Sequence, residues 1–167
     1  MEVLCVFLLM ACYFDYRYRK IPNLLLGIML VHGLAVSFGA QEWQGVLFFL
    51  LQALLLLGLL YPLFKLGMLG AGDVKLFGIC AGYFSYDRIV YFLFVSMLLA
   101  AIVSLFKLII EQNASERFAY LGDYFWEVMR TGQWQLYADN RKDDCSTAIP
   151  LAGPVLVSVL LYIGGAY

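Results

Sequence analysis

Four stretches of this chain, residues 21–39, 45–66, 88–110 and 148–166, run for 19 to 23 residues with scarcely a charged side chain. Each is long enough to cross about 30 Å of hydrocarbon as an α-helix. Two shorter apolar stretches, 2–15 and 73–86, share the same character. Inside lipid every backbone N–H and C=O must find a partner within the chain, so unbroken apolar runs of this length demand helices. A soluble fold is no alternative. At 63% hydrophobic and 14% charged over 167 residues, a domain of this size could not bury its own apolar surface. The fold class expected is an all-α polytopic membrane protein, a single domain over residues 1–167 built as a bundle of six transmembrane helices.

The basic residues orient that bundle. With the 15–20 connection in the cytoplasm, the 65–75 and 107–147 stretches fall there too. Ten of the eleven Lys and Arg residues then lie inside, and only Arg88 lies outside. Only one topology gives this positive-inside distribution. It puts both termini outside, with short outer connections at 40–44 and 86–88, and makes the chain a multi-pass protein of the cytoplasmic (inner) membrane.

Several function classes drop out early. A net charge of −1 leaves no basic footprint for nucleic acid. Cys5, Cys12, Cys80 and Cys145 show neither C-x-x-C pairing nor a histidine at metal spacing, so no metal and no disulfide framework is expected. Leu9-Met10-Ala11-Cys12 loosely resembles a lipoprotein cleavage site, but Glu2 stands where a signal peptide carries a basic residue, so 2–14 reads as a retained helix. The one sizeable polar stretch, 111–147, places Phe118, Leu121, Phe125, Val128 and Met129 at helical spacing. It reads either as an amphipathic helix on the cytoplasmic face or as a small packed loop, since Gly122 weakens a helix.

Ionisable groups within membrane segments are costly and mark function by default. Here they are Asp15, His32, Asp73 and Lys75. Counting from Glu2 and from Asp87, the two aspartates lie 13 and 14 residues along their helices, both about 20 Å from the outer face at 1.5 Å per residue. Two carboxylates at one depth can form a shared site. Close together they do not both ionise easily and tend to hold one proton between them. One then activates water as general base while the other protonates the carbonyl oxygen and later the leaving amine. This is peptide hydrolysis without a covalent intermediate. Each aspartate's own helix dipole makes Asp73, at a helix start, the readier anion and Asp15, at a helix end, the proton holder.

In Leu69-Gly70-Ala71-Gly72-Asp73, the glycines permit unusual backbone angles and the close approach of an extended substrate chain, although a plain helix-start turn with an Asp cap has the same pattern. The wider pattern is more specific. Gly70-Ala71-Gly72-Asp73-Val74-Lys75-Leu76, with Asp15 followed six residues on by Ile21-Pro22-Asn23, resembles the type IV prepilin peptidase family of G-x-G-D intramembrane aspartic proteases. Ile149-Pro150-Leu151 resembles the entry to that family's last helix, so the likeness runs along nearly the whole chain. It implies that Asp15 and Asp73 are the catalytic pair. The implied substrates are prepilins or pseudopilins, which lose a basic leader at the cytoplasmic face. It also implies the short, protease-only form without the N-methyltransferase portion, and no cofactor.

Around this pair, Gly70, Gly72, Lys75, Pro22 and Asn23 are the supporting motif residues. Pro22 suits a helix start, where its missing N–H costs little. Lys75 reads as a charge partner of Asp73, a substrate contact or a lysine snorkelling to headgroups. Asn23 reads as a partner near Asp15 or a plain helix-start residue. His32 and Gln52 read as packing residues with hydrogen bonds more readily than as a proton relay. Trp43, Tyr83 and Tyr86 fit an interfacial aromatic belt. A small transporter or proton relay is the rival reading, disfavoured because both acids cluster toward one face. A non-enzymatic assembly scaffold is another, and it would most simply have lost one aspartate.

Overall fold

The computed structural model describes residues 1–66, 69–110 and 150–165, together with the isolated positions 122, 126, 129 and 130. All regular structure among them is helical. In chain order the helices are α1 (Glu2–Tyr18), α2 (Asn23–Lys65), α3 (Ala71–Ala81), α4 (Ile89–Ile110) and α5 (Ala152–Ile163). The polar 111–147 stretch lies outside the described residues except at Gly122, Trp126, Met129 and Arg130, whose backbone is helical.

A straight helix of the 43 residues of α2 would be about 65 Å long, twice the thickness of a bilayer core. It is not straight. Gln41 (φ −142°, ψ 24°) and Glu42 (φ 51°, ψ −136°) leave helical geometry, and a non-glycine residue at positive φ is uncommon enough to mark a real break. A Cβ built on Gly33 would fall 2.5 Å from the Phe49 ring, and one on Gly45 would fall 2.2 Å from the Ser37 carbonyl oxygen. In one continuous rod residues 33 and 49 would be about 24 Å apart. So α2 is a hairpin with two antiparallel arms, 23–40 and 43–65, turning where the outer connection at 40–44 is expected. The glycines are what let the arms close on each other.

With α2 folded, the helical segments follow the apolar stretches in order, but not at the expected lengths. Among the described residues, only α2 and Ile89–Lys107 of α4 are long and apolar enough to cross a membrane. α3 and α5 have 11 and 12 residues, about 16–18 Å of helix. They are shorter than the apolar runs that contain them. α3 stops at Gly82, where backbone bonds from Gly82, Tyr83 and Phe84 close a turn, and α5 stops at Gly164-Gly165. Where a bundle of six spanning helices is expected, the described residues form an all-helical fold of five helices, one bent double.

Two sets of contacts fix the ends. At one end, the close of α1 meets the start of α5 and the start of α2 meets α3: Lys75 Nζ donates to Asn23 Oδ1 at 3.2 Å. At the other, Phe84 stacks on Phe92 at 4.5 Å and packs edge-on against Tyr162 at 4.8 Å. Between them lies a core of Leu4, Leu8, Met29, Phe77, Phe92, Val155 and Val159, all fully buried. Ser96 and Ser158, also buried, both donate to the Phe92 carbonyl, a polar link of the kind that joins helices in lipid. The outside is apolar: Leu24, Ile109 and Phe94 are 77%, 69% and 65% exposed. Apolar surface on that scale fits an integral membrane protein.

Candidate active site

Asp15 stands one turn before the end of α1. The helix stops where Arg19 turns left-handed (φ 54°, ψ 24°) and its N–H closes onto the Asp15 carbonyl at 3.0 Å. The Asp15 side chain is nearly sealed, at 6% exposure. Its Oδ2 accepts the N–H of Ala152 at 3.1 Å, and the backbone N–H of Leu151 lies beside the same carboxylate. Ala152 opens α5, and Leu151, the residue before it, has no side chain able to cap. Asp15 therefore does from α1 what an N-cap aspartate does within its own helix. The Arg19 guanidinium lies within charge reach of the same carboxylate.

Asp73 is the third residue of α3 and folds back so that its carboxylate accepts the N–H of Gly70, the residue capping that helix. This is the return half of a capping box, with a glycine where the outward hydroxyl would stand. Asp73 is half-buried and lies within Coulombic range of Asp15. The two aspartates, 58 positions apart in sequence, are thus brought together, each within a turn of its helix end.

The motif glycines divide. Gly70 has ordinary extended angles (φ −72°, ψ 148°), yet a Cβ there would come 2.7 Å from Asp73 Oδ2. Its value lies in the space it leaves for the carboxylate, not in backbone freedom. A Cβ on Gly72 would meet only Ile21, at an ordinary 3.5 Å. Ile21 thus packs over the G-x-G-D turn, Pro22 caps α2, and Asn23 bonds Lys75. All seven expected site residues fall at one end of the molecule.

The comparison with known families decides what these motifs belong to. The profile of the type IV leader peptidase family matches residues 2–105, which hold both aspartates and both motifs. The chain belongs to that family. No curated protein and no solved structure matches it. As a family member it is a peptidase by descent, and its apolar helices fit an integral membrane protein.

In this family member the surroundings of the pair add to what own-helix dipoles suggest. The unfavourable end of α1 is worth about 0.3–1 kcal/mol against charge on Asp15. A charge-assisted hydrogen bond is worth about 1.5–3 kcal/mol, and the Ala152 N–H gives Asp15 one that offsets this dipole. The start of α5, 137 residues further on, is invisible from α1 alone.

Other residues settle into structural roles. Tyr83 is not a belt residue: its hydroxyl donates to the Met29 carbonyl at 2.7 Å and accepts from His32 Nδ1 at 3.0 Å. Because that hydroxyl proton is used on Met29, Nδ1 carries the imidazole proton. Gln52 is buried within the second arm of α2. Trp43 and Tyr86 are exposed near the hairpin tip and the start of α4, as a belt requires. A groove lined by Leu47, Leu50, Leu51, Leu54 and Leu55 holds no group capable of chemistry.

Proposed function

We propose that this chain is an intramembrane aspartic endopeptidase that removes the basic leader from prepilin-like or pseudopilin substrates at the cytoplasmic face. The observation that carries the reading is the placement of Asp15 and Asp73 within Coulombic range of each other in a member of the type IV leader peptidase family. A close carboxylate pair with one shared proton supplies a base for water and an acid for the scissile carbonyl. Lys65, Lys75 and Lys107 lie toward the end of the bundle that holds the pair, and Arg88 toward the other, which agrees with a cytoplasmic site.

The test is co-expression of the chain with a prepilin-like precursor, reading product size on a gel. The unaltered chain should give the shortened product. Asp15→Asn and Asp73→Asn should each lower processing at least about 10³-fold while both proteins stay folded. Cleavage that survives both substitutions would remove the pair from the mechanism.

A further inference from the structure

The first turn of α5 lies beyond the residues matched by the family profile, yet it touches the site more intimately than either supporting motif does. Ala152 is fully buried and Asp15 nearly so, which leaves water little room to compete for their bond. The contact is built into the packing of α1 on α5. A Cβ on Gly153 would lie 3.8 Å from the thiol of Cys12, one turn before Asp15.

We infer that the opening turn of α5 is a positioning element of the hydrolytic site: the Leu151 and Ala152 N–H groups hold Asp15 as the anionic member of the pair. Asp15 accordingly takes the proton from the attacking water, and Asp73 gives its proton to the carbonyl oxygen of the scissile bond. The chemistry rests on the endopeptidase reading above. The positioning rests only on how α1 and α5 meet. Among the described residues, the charged and titratable groups facing Asp15 are Asp73 from α3 and Arg19 and Cys12 from its own helix. The opening turns of α2 and α5 carry no ionisable side chain, so α5 acts through its backbone.

A backbone donor is removed by proline, and Leu151 is suited to it. Its φ of −82° is within reach of the proline ring, and its side chain is half-exposed. Leu151→Ala trims the same side chain but keeps the N–H, so the difference between the two variants reads the hydrogen bond. Losing one charge-assisted donor should move the low-pH limb of kcat/KM up by about one pH unit in Leu151→Pro relative to Leu151→Ala. A second readout needs no activity. In an Asp73→Asn background, with aspartate carboxyl carbons labelled, the NMR titration midpoint of Asp15 should rise by the same amount in Leu151→Pro. With Leu151 intact in that background, the Ala152 amide proton should shift with the Asp15 midpoint. An amide that ignores that titration overturns the inference whether or not Leu151→Pro folds, and so do equal midpoints in the two variants. A chain whose NMR midpoints behave as expected but which cleaves no prepilin-like peptide would keep the positioning and lose the endopeptidase reading.

Discussion

Gly70→Ala separates what the G-x-G-D turn does for the site from what it does for the fold. The backbone at Gly70 (φ −72°, ψ 148°) suits alanine as well as glycine, so no strain arises from conformation. The added Cβ would lie 2.7 Å from Asp73 Oδ2, where ordinary contact begins at 3.4 Å. The far end of a short side chain yields more easily than two helices do, so the carboxyl rotates away and gives up the Gly70 N–H. For a half-buried group that bond is worth about 1–2 kcal/mol of stability, a modest loss. Catalysis should suffer more, because displacing a reacting group by about 1 Å costs on the order of 10²-fold in rate. The expected result is processing of a prepilin-like peptide slowed about 30- to 100-fold in detergent-purified protein, with thermal unfolding lowered by only a few degrees. Gly72→Ala is the comparison. Its Cβ has room against Ile21 and sits inside α3, where alanine is favoured over glycine by about 1 kcal/mol. It should unfold at or above the original temperature but raise KM, since the open side of the turn is where an extended substrate backbone would pass. A Gly70→Ala enzyme within threefold of the unaltered rate would refute the claim that the glycine exists to make room for the Asp73 carboxylate.

Three other perturbations follow from contacts away from the pair. Gly33→Ala drives a methyl group into the Phe49 ring, which is wedged against both Gly33 and Gly82, and should cost about 1–3 kcal/mol in thermal unfolding while the folded fraction keeps its rate. Tyr83→Phe leaves His32 Nδ1–H and the Met29 carbonyl without their shared partner, and should lower stability by about 1–2 kcal/mol in the same assay. The bond between Lys75 and Asn23 is exposed to solvent, so a double-mutant cycle of Lys75→Ala and Asn23→Ala should show a coupling below about 1 kcal/mol.

The sequence carried the fold's outline because lipid makes helices obligatory and glycine, proline and charge punctuate them. The tip of the α2 hairpin at Gln41-Glu42 sits in the expected outer connection, although no glycine or proline marks the break itself. The helix lengths were less legible. Apolar composition continues past Ala81 through Gly82 and Tyr83, so hydropathy alone does not show where α3 stops. At the site, Asp15 and Asp73 stood out because charge is rare in such segments, and Asn23 and Lys75 because their motifs flank the pair. The donors to Asp15 left no trace in side-chain chemistry, since Leu151 and Ala152 contribute only backbone N–H groups. Pro150, just before them, was the nearest available signal. It marks a helix start but not the partner that start will meet.

The site gains its character from which helix ends converge on it. α3 and α5 bring their N-termini to the two carboxylates, α2 begins beside them, and α1 brings its C-terminus. A helix N-terminus presents unpaired N–H groups and partial positive charge, so this end of the bundle favours negative charge without a metal-binding cluster among the described residues. Asp15 has the Ala152 N–H and a neighbouring guanidinium, and Asp73 the turn at Gly70. On the endopeptidase reading proposed above, such unequal support would give the shared proton a preferred side, and a pair with one anion and one acid would be ready to deprotonate water and protonate a carbonyl oxygen in the same step. On that reading the asymmetry comes from α5, which would make it a determinant of the chemistry although it contributes no reactive side chain.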